Sequence, residues 1–267
     1  MVVGQPLFNE NKMNGYMIRL INIVLFSFVF SIHLEANIPQ KLNIIFIGNS
    51  ITEATYLKCG PTCFTVEYLQ MLDYKVKFAN CGVSGSTTVD FLPGLGRCYS
   101  KVVAAADTLY ETGCQLIFSI MLGTNDSAMR GPIGAPVAPS DYKRNLQTII
   151  DDLKAKYPLS KIILNRPVWY SPNTHNSAPY LQEGFDRLRL YTPQLQALVK
   201  ENSGYVYRGD WDGYDFFKKN HLDYHNPQHG NSGIFYLHPN AEGAKKLGEF
   251  WAKQIDRNVR KWSKNKR

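Results

Sequence analysis

Beyond about residue 40, the chain alternates short apolar runs with longer segments whose apolar residues recur with helical spacing. Five apolar runs predict strands, the last of them short: residues 42–48, 76–81, 116–122, 161–167 and 205–208. Helical spacing predicts helices over residues 140–157, 180–202 and 240–257. Ser140 is the expected N-cap of the first helix, and Pro193 is expected to interrupt the second. This alternation predicts one α/β domain, a three-layer α/β/α sandwich around a mainly parallel central sheet.

A separate apolar run lies near the amino end. Residues 20–34 are mostly apolar and follow Arg19, but they are fewer than the ~20 residues that a membrane-spanning helix requires. A basic residue before a short apolar run is typical of a secretory signal. We therefore expect residues 1–36 to be a signal peptide, cleaved after Ala36, and residues 37–267 to be the mature domain. The expected product is secreted or periplasmic, with no stable membrane insertion after cleavage.

Composition and charge narrow the choice of partner. The 267 residues are 44% hydrophobic and 19% charged, which is ordinary for a folded domain. The formal net charge of +8 raises nucleic acid as a partner. However, residues 256–267 hold six Lys or Arg against one Asp, and no basic groove with interleaved aromatics occurs elsewhere. We interpret residues 256–267 as a solvated basic tail and expect no nucleic-acid partner.

The five cysteines become relevant if the chain is exported, because disulfides persist outside the cytosol. They are Cys59, Cys63, Cys81, Cys98 and Cys114. Their odd number leaves at least one thiol unpaired, and the sequence leaves open whether Cys59 pairs with Cys63 or either of them pairs with Cys98. Their spacing lacks the paired CxxC of a zinc site, so we expect no metal there.

Short polar motifs follow the predicted strands, at the sheet edge where open parallel sheets bind their ligands. The motifs are GNSIT (residues 48–52), NCGVSGSTT (80–88) and GTND (123–126), and a fourth, YLHPN (236–240), precedes the last helix. Ser50 would begin a helix, and the Asn125 amide can donate N–H groups to developing negative charge. The proline after His238 holds that histidine in extended backbone. Taken singly, each motif also fits a structural role.

Together and in this order, the four motifs resemble the blocks of the SGNH (GDSL-type) hydrolase family, over nearly the whole mature chain. The resemblance implies a flavodoxin-like fold, Ser50 as nucleophile and His238 as general base. It also implies an oxyanion hole made by the backbone N–H groups of Ser50 and Gly85 and the side-chain amide of Asn125. No metal and no organic cofactor is implied.

Two positions depart from the family pattern. Asn49 stands where the family usually has Asp, but this position is not expected to do chemistry. More important, Phe235 occupies the usual place of the triad Asp, three residues before His238. The third triad member is therefore unknown. We favour a backbone carbonyl near Phe235 as the partner of His238 Nδ1, which would make a Ser-His dyad. The alternatives are a weak or inactive enzyme, or a carboxylate from elsewhere: Asp210, Asp212, Asp215 or Asp223.

The motif variant and the expected export resemble bacterial carbohydrate O-acetylesterases, including sialate-type members. The resulting hypothesis is a secreted serine esterase that removes O-acetyl groups from carbohydrates, with an acetylated glycan or other small ester as its substrate. Trp169 and Tyr170, just after the fourth strand, are candidate substrate-binding residues. The alternatives are a lysophospholipase, a general short-chain esterase, or a non-catalytic carbohydrate-binding protein on the same fold.

A histidine series suggests a different class of site. His221, His225 and His229 recur every fourth residue and could line one helix face as metal ligands. Pro227 would break that helix, which disfavours the metal site.

Overall fold

A computed structural model of the chain describes residues 40–264, apart from 95, 96 and 176, together with Met1. The described residues from 40 onward belong to one compact unit of the chain. The predicted signal peptide and residues 265–267 lie outside the described residues, Met1 excepted. In the described part of the chain, no helix is both long enough and apolar enough to cross a membrane.

The described residues form strands and helices in alternation. The strands are β1 (Lys41–Gly48), β2 (Lys75–Asn80), β3 (Gln115–Met121), β4 (Lys161–Leu164), β5 (Thr174–His175), β6 (Ala178–Pro179), β7 (Val206–Arg208), β8 (His225–Gly230) and β9 (Gly233–Pro239). The helices are α1 (Ser50–Glu53), α2 (Pro61–Met71), α3 (Tyr99–Leu109), α4 (Pro139–Lys156), α5 (Gln182–Glu201), α6 (Gly213–Tyr224) and α7 (Ala241–Lys264). A short 3₁₀ turn, Val89–Phe91, lies between β2 and α3.

The five predicted strands are all present and form one parallel sheet in the order β2-β1-β3-β4-β7. Central strands β1 and β3 are buried along almost their whole length, which explains why their sequences are continuously apolar. Parallel neighbours require crossover connections, and the intervening helices supply them. The predicted α/β fold with a mainly parallel sheet is confirmed.

Helices cover both faces of this sheet. Phe46 of β1 stacks on Trp251 of α7, with ring centroids 5.8 Å apart. Phe118 of β3 pairs with Ile45, the neighbour of Phe46, so its side chain lies on the opposite face. There Phe118 packs against Tyr157 at the end of α4, with ring centroids 5.6 Å apart. The aromatic core thus joins the three layers.

Two expectations about helix signals were wrong. Helix α4 begins at Pro139, one residue before Ser140, and Ala138 occupies the N-cap position without a side-chain cap. Proline suits the first turn because its fixed φ matches the helix and its missing N–H would have no intrahelical partner. Pro193 lies inside α5 without ending it. Tyr191 and Leu195 are buried on either side of that proline, so packing of the apolar stripe maintains the helix.

The carboxyl end also differs from the expected solvated tail. Helix α7 continues to Lys264, and both Val259 and Trp262 are buried. These residues extend the apolar stripe from Trp251 and Ile255, so the segment is packed rather than frayed. The basic side chains Arg260 and Lys261 are exposed between the buried positions.

Two short hairpins were not predicted. Strands β8 and β9 pair antiparallel, as do β5 and β6. Ser171, in the loop that follows β4, contacts the β8–β9 hairpin through two hydrogen bonds. Its N–H donates to the Tyr236 carbonyl at 3.0 Å, and its Oγ accepts from the Tyr236 N–H at 2.8 Å. This contact brings β9 and His238 back to the edge of the sheet.

A disulfide joins Cys59 to Cys63, one of the pairings that the sequence left open. The bridge lies between α1 and the first turn of α2. Cys81, Cys98 and Cys114 are free thiols, and the first two of these are buried.

Candidate active site

A cleft of about 760 Å³ lies at the carboxyl edge of the sheet. It brings together residues from all four predicted motifs: Ser50, Gly85, Asn125 and His238. Further lining residues come from the loops and the hairpins: Tyr56, Ser84, Arg97, Gly131, Pro132, Ile133, His175, Ser177, Ala178, Tyr180, Asn226, Gln228 and Leu237. The topology thus gathers residues that are distant in sequence into one cavity of the size that small-molecule sites have.

Ser50 is placed by a tight turn between β1 and α1. A side chain at Gly48 would lie 2.0 Å from Thr52 Oγ1, so the turn requires glycine there. Asn49 caps α1, since its Oδ1 accepts a hydrogen bond from the Ile51 N–H at 3.0 Å. Ser50 is the first helical residue, and its N–H therefore has no acceptor inside the helix. That N–H remains available to a ligand in the cleft.

His238 contacts the candidate nucleophile directly. Its Nε2 lies 2.8 Å from Ser50 Oγ, within hydrogen-bonding distance. The Tyr56 ring packs edge-on against the imidazole, with centroids 5.4 Å apart, and the Tyr56 hydroxyl donates to the Pro239 carbonyl at 3.1 Å. Burial, together with a smaller contribution from His175, lowers the pKa of His238 to about 4. The imidazole is accordingly neutral at pH 7, the form that can accept a proton.

The partner on the far side of the imidazole is a glutamine. Gln228 Oε1 lies 2.9 Å from His238 Nδ1. The expected backbone carbonyl near Phe235 is therefore wrong. In the β8–β9 hairpin, Gln228 pairs with Phe235, the position of the usual acid. Strand β8 thus supplies the oxygen atom that contacts His238 Nδ1. The Phe235 side chain on β9 is instead fully buried among aromatic rings.

The four alternative carboxylates lie elsewhere. Asp210 is buried, and its Oδ1 accepts from the N–H groups of Asp212 and Gly213, each at 3.0 Å. Asp212 pairs with Arg208 of β7, and Asp215 pairs with Arg166 in the loop after β4. Asp223 is exposed at the end of α6. In the described residues that line the cleft there is no Asp and no Glu.

The Gln228 contact selects the tautomer of His238. An amide oxygen only accepts hydrogen bonds, so Nδ1 must carry the proton, and Nε2 is left with a lone pair facing Ser50 Oγ. The amide orientation follows from the next contact, in which Gln228 Nε2 lies 3.5 Å from His175 Nε2. The amide nitrogen is a donor there, and His175 also hydrogen bonds the backbone of His229. The chain of contacts leaves Nε2 of His238 able to accept the serine proton.

Asn125 is oriented toward the cleft by two hydrogen bonds. Its Oδ1 accepts from the Tyr180 hydroxyl at 2.7 Å, and its Nδ2 donates to the Ser86 carbonyl at 2.9 Å. One amide N–H therefore remains for a ligand. Gly85 lines the same cleft with a φ of +75°, and no atom lies within 4 Å of the place where its Cβ would be. Its backbone is thus open to a bound group.

Trp169 and Tyr170 do not lie on the cleft wall, so the expectation that they bind substrate was wrong. Tyr170 is fully buried, and its hydroxyl lies 2.9 Å from Ser127 Oγ. Trp169 is 8% exposed and packs against Phe185 and His225. Both rings are directed into the core beneath the hairpin. Tyr56, which is 43% exposed, provides the accessible aromatic surface of the cleft instead, whereas Tyr180 lines the cleft but is buried.

The histidine series does not form one helix face. Helix α6 ends at Tyr224, so His221 is helical, whereas His225 and His229 belong to β8. His225 is buried against Trp169 and Phe217. Within the described residues, Cys59, Cys63 and Glu67 are the one group whose donor atoms lie close enough to hold a metal ion, and the two sulfurs are bonded to each other.

Sequence comparison relates the chain to known acyl hydrolases. The sequence profile of the GDSL-like lipase/acylhydrolase family matches residues 46–246. No curated protein shows a significant sequence match.

Solved structures share the fold at low sequence identity. Axe2, an acetylxylan esterase from Geobacillus stearothermophilus, superposes in a catalytic mutant form with a TM-score of 0.59 and 19% identity, over 82% of this chain and 95% of that one. A candidate GDSL-like lipase from Parabacteroides merdae gives a TM-score of 0.52 and 16% identity, over 82% and 97% of the two chains.

Proposed function

The chain belongs to the GDSL-like lipase/acylhydrolase family, and from this premise we propose that it is a serine esterase with Ser50 as nucleophile and His238 as general base. The observation that carries the proposal is the 2.8 Å contact between Ser50 Oγ and His238 Nε2, in a cleft at the sheet edge. In this proposal Gln228 takes the place of the usual acid and orients the imidazole through Nδ1.

Acylation begins when His238 Nε2 takes the proton of the Ser50 hydroxyl as Oγ attacks the ester carbonyl carbon. The carbonyl π electrons move to oxygen and form a tetrahedral oxyanion. When this intermediate collapses, the bond to the leaving alkoxide breaks and the imidazolium returns the proton to it. The free alcohol leaves, and the acyl group remains on Oγ.

Deacylation repeats these steps with water. His238 takes a proton from water as the resulting hydroxide attacks the acyl carbon. Collapse of the second intermediate releases the carboxylic acid and returns a proton to Ser50 Oγ. Throughout, Gln228 Oε1 accepts the Nδ1 proton, which keeps Nε2 directed at Oγ.

The oxyanion receives hydrogen bonds from the N–H groups of Ser50 and Gly85 and from the free amide N–H of Asn125. Preorganised donors of this kind stabilise charge that develops in the transition state more than charge present in the substrate. The Tyr180 hydroxyl supports this role because it fixes the Asn125 amide before substrate binds.

O-acetyl esters of carbohydrates are the proposed substrates. The fold similarity to an acetylxylan esterase supports this class. The cleft also joins polar groups to the exposed aromatic ring of Tyr56, a combination suited to a sugar ring. Lysophospholipids and simple short-chain esters are the competing substrates, and the rates of acetate and fatty-acid release distinguish them.

Export remains part of the proposal. The basic residue and short apolar run in residues 19–34 support a signal peptide, and the Cys59–Cys63 disulfide fits an oxidising compartment. We therefore place the esterase outside the cytosol, in the periplasm or beyond.

The test compares the full chain with Ser50→Ala on p-nitrophenyl acetate, with Ser100→Ala on the exposed surface of α3 as the matched control. We expect Ser50→Ala to abolish hydrolysis and Ser100→Ala to retain it. Equal rates in wild type and Ser50→Ala would overturn the proposal. Acetate release from acetylated xylan and other acetylated glycans, beside fatty-acid release from a lysophospholipid, then identifies the substrate class.

A further inference from the structure

An arginine on the cleft wall has no role in the proposed acyl transfer through Ser50 and His238. Arg97 lines the cleft, and its Nε donates to Asp90 Oδ1 at 2.8 Å. The Arg97 side chain is 52% exposed, whereas that of Asp90 is 1% exposed. One edge of the guanidinium is therefore fixed by a buried carboxylate, and the rest of the group remains accessible.

The anchor for Arg97 is itself held in place. Asp90 Oδ2 accepts from the Thr87 N–H at 2.9 Å, and the Asp90 carbonyl accepts from the Cys98 N–H at 2.9 Å. Asp90 therefore ties the segment that follows Gly85 to the residue that follows Arg97. A surface arginine without such an anchor would have to be immobilised when a ligand binds, and that ordering costs free energy. The hydrogen bond to Asp90 already orders part of the Arg97 side chain before a ligand binds.

The remaining wall of the cleft contains no opposing charge. In the described residues that line it, Arg97 is the single Lys or Arg and there is no acid. His175 and His238 are neutral at pH 7, since burial lowers the pKa of both. The open part of the guanidinium thus faces a cavity lined by neutral polar and aromatic groups. The Glu53 carboxylate, which is not among the lining residues, accepts hydrogen bonds from the N–H and the hydroxyl of Ser84.

Resting on the proposed esterase function, we propose that Arg97 binds a carboxylate carried by the alcohol portion of the ester, so that the preferred substrates are acetylated acidic sugars. The planar guanidinium presents paired N–H donors that match the two oxygens of a carboxylate. Asp90 occupies the Nε edge from behind and leaves the terminal nitrogens for this contact. A neutral acetylated sugar would fit the same cleft but would leave this group unused.

The test uses two substrates that differ in one group. One is methyl glucuronoside acetylated at O2, O3 and O4, and the other is its uronamide, which has the same shape without the charge. We expect wild type to hydrolyse the acid with a kcat/KM higher by on the order of tenfold. Because Arg97 is half exposed, this preference should diminish as salt is added. Equal kcat/KM values for acid and amide at low salt would overturn the inference.

Variants of Arg97 assign the preference to this residue. Arg97→Met should reduce the ratio of acid to amide kcat/KM to about one, and Arg97→Lys should keep part of it. Arg189→Met is the matched control, since Arg189 is an exposed arginine outside the cleft, and it should keep the full ratio. Thermal unfolding of each variant checks that it is folded. A folded Arg97→Met protein with the wild-type ratio would overturn the inference.

The two proposals fail in different ways. If Ser50→Ala keeps the wild-type rate on both substrates, the proposed function fails. If Ser50→Ala is inactive and wild type does not prefer the acid, the esterase stands and the role of Arg97 is refuted.

Discussion

Gln228 should control the protonation of His238, and two substitutions test this in opposite directions. Gln228→Glu keeps the size of the side chain and places a carboxylate about where Oε1 lies, 2.9 Å from Nδ1. Gln228→Leu removes the acceptor. If Gln228 only filled space, neither change would alter the pH dependence of catalysis.

The expected change in pKa and in kcat follows from the hydrogen bond between Gln228 Oε1 and His238 Nδ1. A carboxylate at this distance favours the imidazolium and raises a histidine pKa by about 1–3 units. Starting from a pKa of about 4, the acid limb of the Gln228→Glu rate profile should move to roughly pH 5–7. In Gln228→Leu, the imidazolium of the transition state loses a hydrogen bond worth about 1.5–3 kcal/mol. That loss corresponds to a fall in kcat of roughly tenfold to a hundredfold.

The assay is the pH dependence of kcat and kcat/KM on p-nitrophenyl acetate from pH 4 to 9. The wild-type acid limb should lie near pH 4, because the buried neutral imidazole resists protonation. Gln70→Glu and Gln70→Leu, at an exposed glutamine of α2 outside the cleft, are matched controls and should keep the wild-type profile. An unshifted limb in Gln228→Glu, together with wild-type kcat in Gln228→Leu, would refute the role of Gln228.

Three further predictions concern the oxyanion hole and the buried histidine. Asn125→Ala should lower kcat on p-nitrophenyl acetate by on the order of 10²–10³, with a much smaller change in KM, and an unchanged kcat would remove Asn125 from the oxyanion hole. Tyr180→Phe should lower kcat by about tenfold, because the Asn125 amide loses the hydrogen bond that orients it, and the combined variant should be no slower than Asn125→Ala alone. His225 is buried, and this burial lowers its pKa from 6.5 to about 3. Below pH 6.5 the unfolded chain therefore binds a proton that the folded chain does not, so stability falls with decreasing pH, by about 2 kcal/mol at pH 5. His225→Phe should remove this contribution; urea unfolding at pH 7 and pH 5 measures it, and an equal loss in variant and wild type would contradict the assignment.

The sequence was most informative where one physical signal dominated. A central parallel strand is buried on both faces, so its residues are continuously apolar and its end is marked where polar residues resume. This is why β1 and β3 were predicted closely, with Ser50 and Asn125 just beyond their ends. In the sequence, the apolar stripe of α7 also continues through Val259 and Trp262. The many basic residues around them favoured the interpretation of this segment as a solvated tail.

The contact of Gln228 with His238 could not be predicted from such local signals. The β8 segment reads HNPQHG, and its proline, glycine and asparagine are depleted in strands. The strand exists because β9 pairs with it, and the contact depends on an antiparallel register that brings Gln228 opposite Phe235. Local propensity contains no information about that register.

Side-chain direction also limited the prediction. Trp169 and Tyr170 follow β4 at the correct edge of the sheet, yet both turn into the core beneath the hairpin. Arg97 and Tyr180 reach the cleft from loops whose paths are set by tertiary contacts. Position along the chain identified the sheet edge, but not which side chains face the cavity.

Covalent labelling of the serine tests the central claim most directly. The full chain is incubated with a fluorophosphonate, and the adduct is located by peptide mass spectrometry. We expect a single adduct on Ser50, formed much more slowly in His238→Ala and absent in Ser50→Ala. An adduct on another residue, or p-nitrophenyl acetate hydrolysis that persists after Ser50 is fully labelled, would contradict it.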